Sequence, residues 1–155
     1  MSEPSRSGFH ATRRVEFRDT DAAGIAHFSA FLFYMESVEH EWLRQMGLSV
    51  MPAGSVMAGG GNATGEVASP ISWPRVSVGC DFSSPARFED VLDVRMRVAR
   101  LGTKSVTYEF EFSCGGRPVA KGRTVAVCCR ISPGNEPQGI PIPEALAEKL
   151  RTLLE

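Results

Sequence analysis

The most restrictive feature of this sequence is a change of period. Between residues 30 and 46 the apolar side chains Phe31, Met35, Val38, Trp42 and Met46 recur at spacings of four, three, four and four, which places them on one stripe of an α-helix. From Trp73 onward the period becomes two. Val76, Val78, Cys80 and Phe82 alternate with Ser77, Gly79, Asp81 and Ser83; after Pro85, Leu92, Val94, Met96 and Val98 alternate with Asp93, Arg95 and Arg97. A third strand face, Val106, Tyr108, Phe110, Phe112 and Cys114, runs into Gly115-Gly116, the positive-φ pair of a two-residue hairpin. One helix must therefore cover a run of antiparallel strands.

The last strand, about Pro118 to Ile131, sharpens that expectation. Val119, Val125, Val127, Cys129 and Ile131 share one face, while Ala120, Gly122, Thr124, Ala126 and Cys128 make the other face small. A small face admits a bulky neighbour, and the Phe- and Trp-bearing helix is the candidate. Ahead of the helix, residues 12 to 18 read as a short strand with Val15 and Phe17 on one face. Ser29 is the expected N-cap and Gly47 the stop. Residues 144 to 154 read as a terminal amphipathic helix with Leu146, Leu150 and Leu153 inward. The expected fold is α+β: a long central helix wrapped by a curved antiparallel sheet, in a single domain over 12–155. Residues 1–11 are expected to be a flexible tail. Residues 49–72, rich in Gly, Ala, Ser and Met, are expected to be a flexible connection that is a lid, a binding loop or simply disordered.

Composition narrows the function. A net charge of -1 over 155 residues argues against a nucleic-acid surface. The four cysteines, Cys80, Cys114, Cys128 and Cys129, form no Cys-x-x-Cys pair and no zinc spacing, so they read as reduced core residues of a cytoplasmic protein without a metal. The first ten residues hold no apolar run, which excludes a signal peptide or membrane insertion there. Gly59-Gly60-Gly61 follows no strand and precedes no Lys-Ser/Thr pair, so it is not a phosphate loop.

The chemistry is concentrated in residues 15 to 47. A strand leads into a polar loop with Asp19, Asp21 and His27, and the loop feeds directly into the helix. Acid and base groups then stand beside the unpaired N–H donors of a helix start, where an anion or a carbonyl oxygen is favoured. Gly24 sits inside the loop, where the backbone needs a conformation closed to other residues or a close approach to a ligand. His27 is a candidate acid, base or substrate contact. Glu36 lies two turns into the helix at the border of its buried face, a candidate for orienting a water or a neighbouring group.

Asp19-Thr20-Asp21-Ala22-Ala23-Gly24-Ile25-Ala26-His27-Phe28, followed by the helix that ends in Leu43-Arg44-Gln45-Met46-Gly47, resembles the signature of the 4-hydroxybenzoyl-CoA thioesterase family. Pro85-Ala86-Arg87-Phe88-Glu89-Asp90-Val91-Leu92 is similar to that family's Pro-x-Arg-x-x-Asp motif, and the element order agrees over about residues 12 to 131. The resemblance implies a hotdog fold, a homodimer or homotetramer, and hydrolysis of acyl-CoA without a cofactor. It makes Asp21 the nucleophile or the general base on water, and Phe28 the residue whose backbone N–H polarises the thioester carbonyl, with Gly24 and Ser29 beside the substrate. Lys104, in the Leu101-Gly102-Thr103-Lys104 turn, resembles a position offering positive charge to the CoA phosphates. The imidazole of this loop is at His27, whereas one branch of the family carries histidine at the position of Phe28. Two other activities fit the same residues: hydration or dehydration of acyl thioesters by His27 with Glu36, and acyl-CoA binding without turnover. The acyl group is left open, since Phe28, Phe31 and Trp42 suit a pocket or a core.

Overall fold

The structure, a computed structural model, describes residues 7–48, 71–132 and 134–154. Its strands are β1 (Phe9–Arg14), β2 (Ile71–Ser72), β3 (Arg75–Phe82), β4 (Val91–Leu101), β5 (Ser105–Cys114), β6 (Arg117–Val127), β7 (Cys129–Arg130) and β8 (Gln138–Gly139). Its helices are α1 (Ala30–Gln45) and α2 (Glu144–Arg151). Five strands form one antiparallel sheet in the order β1-β4-β5-β6-β3, and β2-β7-β8 form a small second sheet. Hairpins join β4, β5 and β6 in sequence. β1 and β3 take the two edges, so the strands before and after α1 lie on opposite sides of the sheet.

α1 packs on one face of this sheet. Phe31, Met35, Val38 and Trp42 are buried as the helical period requires, and Tyr34, Glu39 and Leu43 are buried with them. Opposite them lie Leu92, Val94, Met96 and Val98 of β4, Val106, Tyr108, Phe110 and Phe112 of β5, and Ala120, Thr124 and Ala126 of β6. The small face of β6 is thus turned toward the helix. Lys149 of α2 donates to the Met46 carbonyl at 2.6 Å, placing a cation at the negative end of α1. Leu153 closes the sheet elsewhere: its carbonyl accepts the Val98 N–H at 2.9 Å, where the β4–β5 register shifts.

Several elements differ from expectation. The first strand is Phe9–Arg14, so residues 9–11 of the expected tail belong to the sheet, with Phe9 and Ala11 turned inward. One Phe and one Ala are too weak a pattern to announce a strand. Val15 is buried but Phe17 is exposed, because a 3-10 turn at Phe17–Asp19 breaks the period of two. β3 forms where expected, but its burial does not alternate: a bulge interrupts its pairing with β6 at Val76, and Val76, Val78 and Phe82 are exposed at 63%, 46% and 51% on this edge strand. The last strand breaks at Cys128, whose N–H donates to Lys104 and whose carbonyl accepts from Ile140; the chain then continues in the small sheet. Of the expected 49–72 connection, Ile71–Ser72 forms β2 and the remainder lies outside the described residues.

Candidate active site

Residues 19–27 form a miniature hairpin. Thr20 and Ala26 pair across it, the Asp21 N–H donates to the Ile25 carbonyl at 3.0 Å, and the Gly24 N–H returns to the Asp21 carbonyl at 3.0 Å. Gly24 has φ +73°, the left-handed conformation that lets the chain reverse there. Asp21 stands exposed at this tip. Its Oδ1 accepts the Ala23 N–H at 2.8 Å, and its second oxygen takes no hydrogen bond among the described residues.

The hairpin rests on the chain between β3 and β4. Ala26 donates to the Ala86 carbonyl at 2.7 Å, and Ile25 pairs with Arg87. Asp90 organises that support: its carboxylate accepts the Arg87 N–H at 2.8 Å and its carbonyl accepts the Val15 N–H at 2.8 Å. The acid of the Pro-x-Arg-x-x-Asp motif is therefore a turn-former beneath the hairpin.

At the head of α1, the backbone donors on either side of Phe28 are satisfied. The His27 N–H donates to the Asp19 carbonyl at 2.7 Å, and the Ala30 N–H donates to the His27 carbonyl at 2.9 Å. The Ser29 N–H donates to His27 Nδ1 at 3.2 Å, and Ser29 Oγ lies 2.8 Å from the same nitrogen. The Phe28 N–H has no hydrogen-bond partner among the described residues. Ser29 occupies the N-cap position but makes no side-chain cap bond. His27 takes over the capping, and accepting at Nδ1 places the neutral ring's proton on Nε2. Its ring stacks on Phe28 with centroids 4.1 Å apart.

Two cavities flank this helix start. One, of about 440 Å³, is lined by Ile25, Phe28, Phe31, Phe82, Pro85 and Ala86. Phe31 is held there edge-on by Phe82 and Phe112, each at 5.2 Å. The other, of about 770 Å³, is lined by Arg13, Arg14, Arg18, His27, Phe33, Tyr34 and others. Glu36 is exposed on α1. Lys104 lies in the β4–β5 turn, eight residues from Phe112, or about 26 Å along the strand at about 3.3 Å per residue. Within one chain, Asp21 and Gly24 share the hairpin tip, His27, Phe28 and Ser29 share the helix start that follows it, and Lys104 lies at the far end of β5.

Tyr34 escaped the sequence reading, and Glu39 and Arg75 differ from it: the sequence places Glu39 at the border of the buried face, solvated or interfacial, and makes Arg75 a lesser candidate for the CoA phosphates. Tyr34 points its hydroxyl inward and donates to Asp19 Oδ2 at 2.8 Å. Burial, reinforced by that carboxylate, holds the Tyr34 phenol above its ordinary range. Glu39 is buried on α1 and bonds Arg75 of β3 at 2.5 Å. Burial outweighs the guanidinium and raises the Glu39 carboxyl to about 7. Glu39 follows Met35 by four residues and so falls on the buried stripe, a readable sign; its partner is 36 residues away and gave none. Among the described residues no three His, Cys, Asp or Glu side chains converge to hold a metal, and no helix is long and apolar enough to cross a membrane.

Residues 15–150 match the thioesterase-like superfamily. A 1,4-dihydroxy-2-naphthoyl-CoA hydrolase of a Synechococcus species is 35% identical over 118 residues, covering 75% of this chain and 74% of that protein. The solved structure of a 1,4-dihydroxy-2-naphthoyl-CoA thioesterase from Synechocystis superposes with a TM-score of 0.75 at 23% identity, covering 92% of this chain and 95% of the other. A gentisyl-coenzyme A thioesterase superposes with a TM-score of 0.72 at 25% identity, covering 92% and 98%. With an antiparallel sheet packed on one long helix and sequence agreement across most of its length, the chain belongs to the thioesterase-like superfamily and is a hotdog-fold thioester hydrolase.

Proposed function

We propose that this enzyme hydrolyses an aromatic acyl-CoA thioester, with Asp21 as the reacting carboxylate and the Phe28 N–H as the oxyanion donor. The observation that carries this reading is the uncommitted Phe28 N–H at the head of α1, between satisfied neighbours and beside a cavity walled by three phenylalanines. A thioester carbonyl oxygen gains negative charge as its carbon becomes tetrahedral, and a preorganised N–H at a helix start stabilises that charge. Asp21 keeps one carboxylate oxygen free of described donors, as a nucleophile or a base requires. As base, it takes a proton from water while the water oxygen bonds the carbonyl carbon; the C–S bond then breaks and the departing thiolate recovers the proton. As nucleophile, it forms a mixed anhydride with loss of CoA thiolate, and water cleaves the anhydride.

The aromatic walls and the bicyclic or monocyclic aryl substrates named for the relatives support an aromatic acyl group. Hydration is the weaker reading. His27 Nδ1 is engaged by Ser29, and Glu36 lies exposed along α1, so the two do not form an acid–base pair within the chain.

Among the described residues no strand pairs with the outer edge of β3 and its apolar side chains are exposed, which favours a homodimer through antiparallel β3 pairing. Phe82, at the end of β3, lines the acyl cavity, whereas the β4–β5 turn lies at the start of β3, where Val127 pairs with Ser105 and bonds Pro74. Antiparallel pairing would bring a second copy's Lys104 turn toward the first copy's cavity, within reach of a CoA phosphate. Four free cysteines suit a reducing cytoplasm.

The test is thiol release from benzoyl-, hydroxybenzoyl-, dihydroxynaphthoyl- and aliphatic CoA thioesters, with wild type beside Asp21→Asn. Hydrolysis of the aryl thioesters, a loss of about 10²-fold to 10⁴-fold in kcat for the variant and retained binding are expected. Aliphatic preference overturns the acyl assignment, and an active Asp21→Asn overturns the role of Asp21.

A further inference from the structure

The hairpin that carries Asp21 runs directly into the helix start that carries the Phe28 N–H, and the angle between the two decides whether both reach one carbonyl. Their neck is held at Asp19, whose carbonyl accepts the His27 N–H at 2.7 Å. The Asp19 carboxylate gathers two more donors on Oδ2: the Glu16 N–H at 2.9 Å and the Tyr34 hydroxyl at 2.8 Å. The Tyr34 contact is the only side-chain hydrogen bond from α1 to residues 16–27 among the described residues. The Tyr34 ring is itself fixed, edge-on to Phe31 at 5.7 Å and tilted against Phe112 at 6.5 Å.

We propose that Tyr34 is a positioning residue for hydrolysis: through the Asp19 carboxylate its hydroxyl fixes the hairpin bearing Asp21 against the helix start bearing Phe28. The inference rests on the reading of Asp21 as the reacting carboxylate. Tyr34 touches neither substrate nor reacting atoms. It acts through Asp19, and because its phenol is held above its ordinary range it remains a donor at neutral and mildly alkaline pH. Local backbone bonds set the shape of the hairpin, tie it to the β3–β4 connection, and join its last residue, His27, to the first residue of α1 through the Ala30 N–H. Tyr34 adds a side-chain reference one turn further along α1, and displacements of about 1 Å at a reacting group cost about 10²-fold in rate.

Tyr34→Phe removes the hydroxyl and keeps the ring. The expected result is a kcat lower by about tenfold to a hundredfold with little change in KM. Amide hydrogen exchange should quicken in residues 20–27 and stay at wild-type rates in β4 and β5. Tyr34→Phe combined with Asp19→Ala should be no slower than Asp19→Ala alone, since each removes the same contact, whereas Asp19→Asn keeps an acceptor for the Tyr34 hydroxyl. Wild-type kcat and wild-type exchange in Tyr34→Phe, with Asp21→Asn inactive, overturn the positioning role alone. A rate loss accompanied by faster exchange throughout the sheet also overturns it, as a stability effect. Undiminished hydrolysis by Asp21→Asn removes the carboxylate that Tyr34 would position and overturns both readings.

Discussion

The sulfur of Met35 occupies the space a side chain on Gly122 would need: a Cβ built on Gly122 lies 2.2 Å from Met35 Sδ. This contact fixes how closely α1 approaches β6, because Met35 is fully buried and has no exit toward solvent. Interiors are close-packed, so one added methyl forces side-chain and backbone shifts. Gly122→Ala should destabilise the protein by about 1–3 kcal/mol, lowering the melting temperature by about 3–10 °C. Met35→Ala in the same chain frees the space, and the double variant should lose less than the sum of the singles. Strict additivity in calorimetry or urea unfolding would show that the two sites do not compete for one volume.

The small face of β6 was legible because side chains in a strand alternate, and Ala120, Gly122, Thr124 and Ala126 could only share a face. The faces of β4 and β5 were legible for the same reason. Periodicity reports which side chains share a face and is silent on what covers it, which is why Val76 and Val78 of β3 looked like core. The hairpin tip was readable in Gly24. The capping was not: Ser29 has the preferred N-cap chemistry, but an imidazole two residues earlier reaches the same N–H. Contacts between residues distant in sequence left no local trace, as with Tyr34 and Asp19 or Glu39 and Arg75.

Glu39 gives a pH dependence with a definite sign. Its carboxyl is raised from an ordinary 4.5 to about 7, so the folded state holds the proton more tightly than the unfolded state. The stability this confers is full below pH 4.5 and is lost as pH rises through about 7, a change of about 3 kcal/mol. Gln at this position does not titrate. Glu39→Gln should therefore gain on the wild type between pH 4.5 and pH 8, by up to about 3 kcal/mol, when urea unfolding of the two proteins is compared. A constant difference across that range would mean that Glu39 is ionised throughout beside Arg75.

Phe28 separates backbone from side chain at one residue. Its ring is 65% exposed and lines the acyl cavity, while its N–H is the proposed oxyanion donor. Phe28→Ala keeps the N–H and removes the ring, which would bury on binding an aromatic acyl group. KM for aryl thioesters should rise about tenfold to a hundredfold, in keeping with about 1.5–3 kcal/mol for a buried Phe, with kcat within a few-fold of wild type. A collapse of kcat at unchanged KM in steady-state kinetics would assign the ring a part in the chemical step.

Val78 tests the proposed assembly. It lies on β3, whose outer edge pairs with no described strand, and it is 46% exposed. A lysine there is tolerated by a solvated edge strand, since the charge reaches water and no packed core is disturbed. Across a two-fold axis, however, two lysines would face one another beside the paired strands, and like charges in an interface cost several kcal/mol. Val78→Lys should leave the melting temperature of the separated chain nearly unchanged while raising the dimer dissociation constant on the order of a thousandfold, as read by sedimentation velocity over a concentration series. Thioesterase activity should fall with the dimer fraction, because each cavity would lose the neighbouring copy's Lys104 turn. A Val78→Lys protein that remains dimeric at wild-type concentrations, or a fully active monomer, would place the association surface elsewhere and leave the acyl cavity complete within one chain.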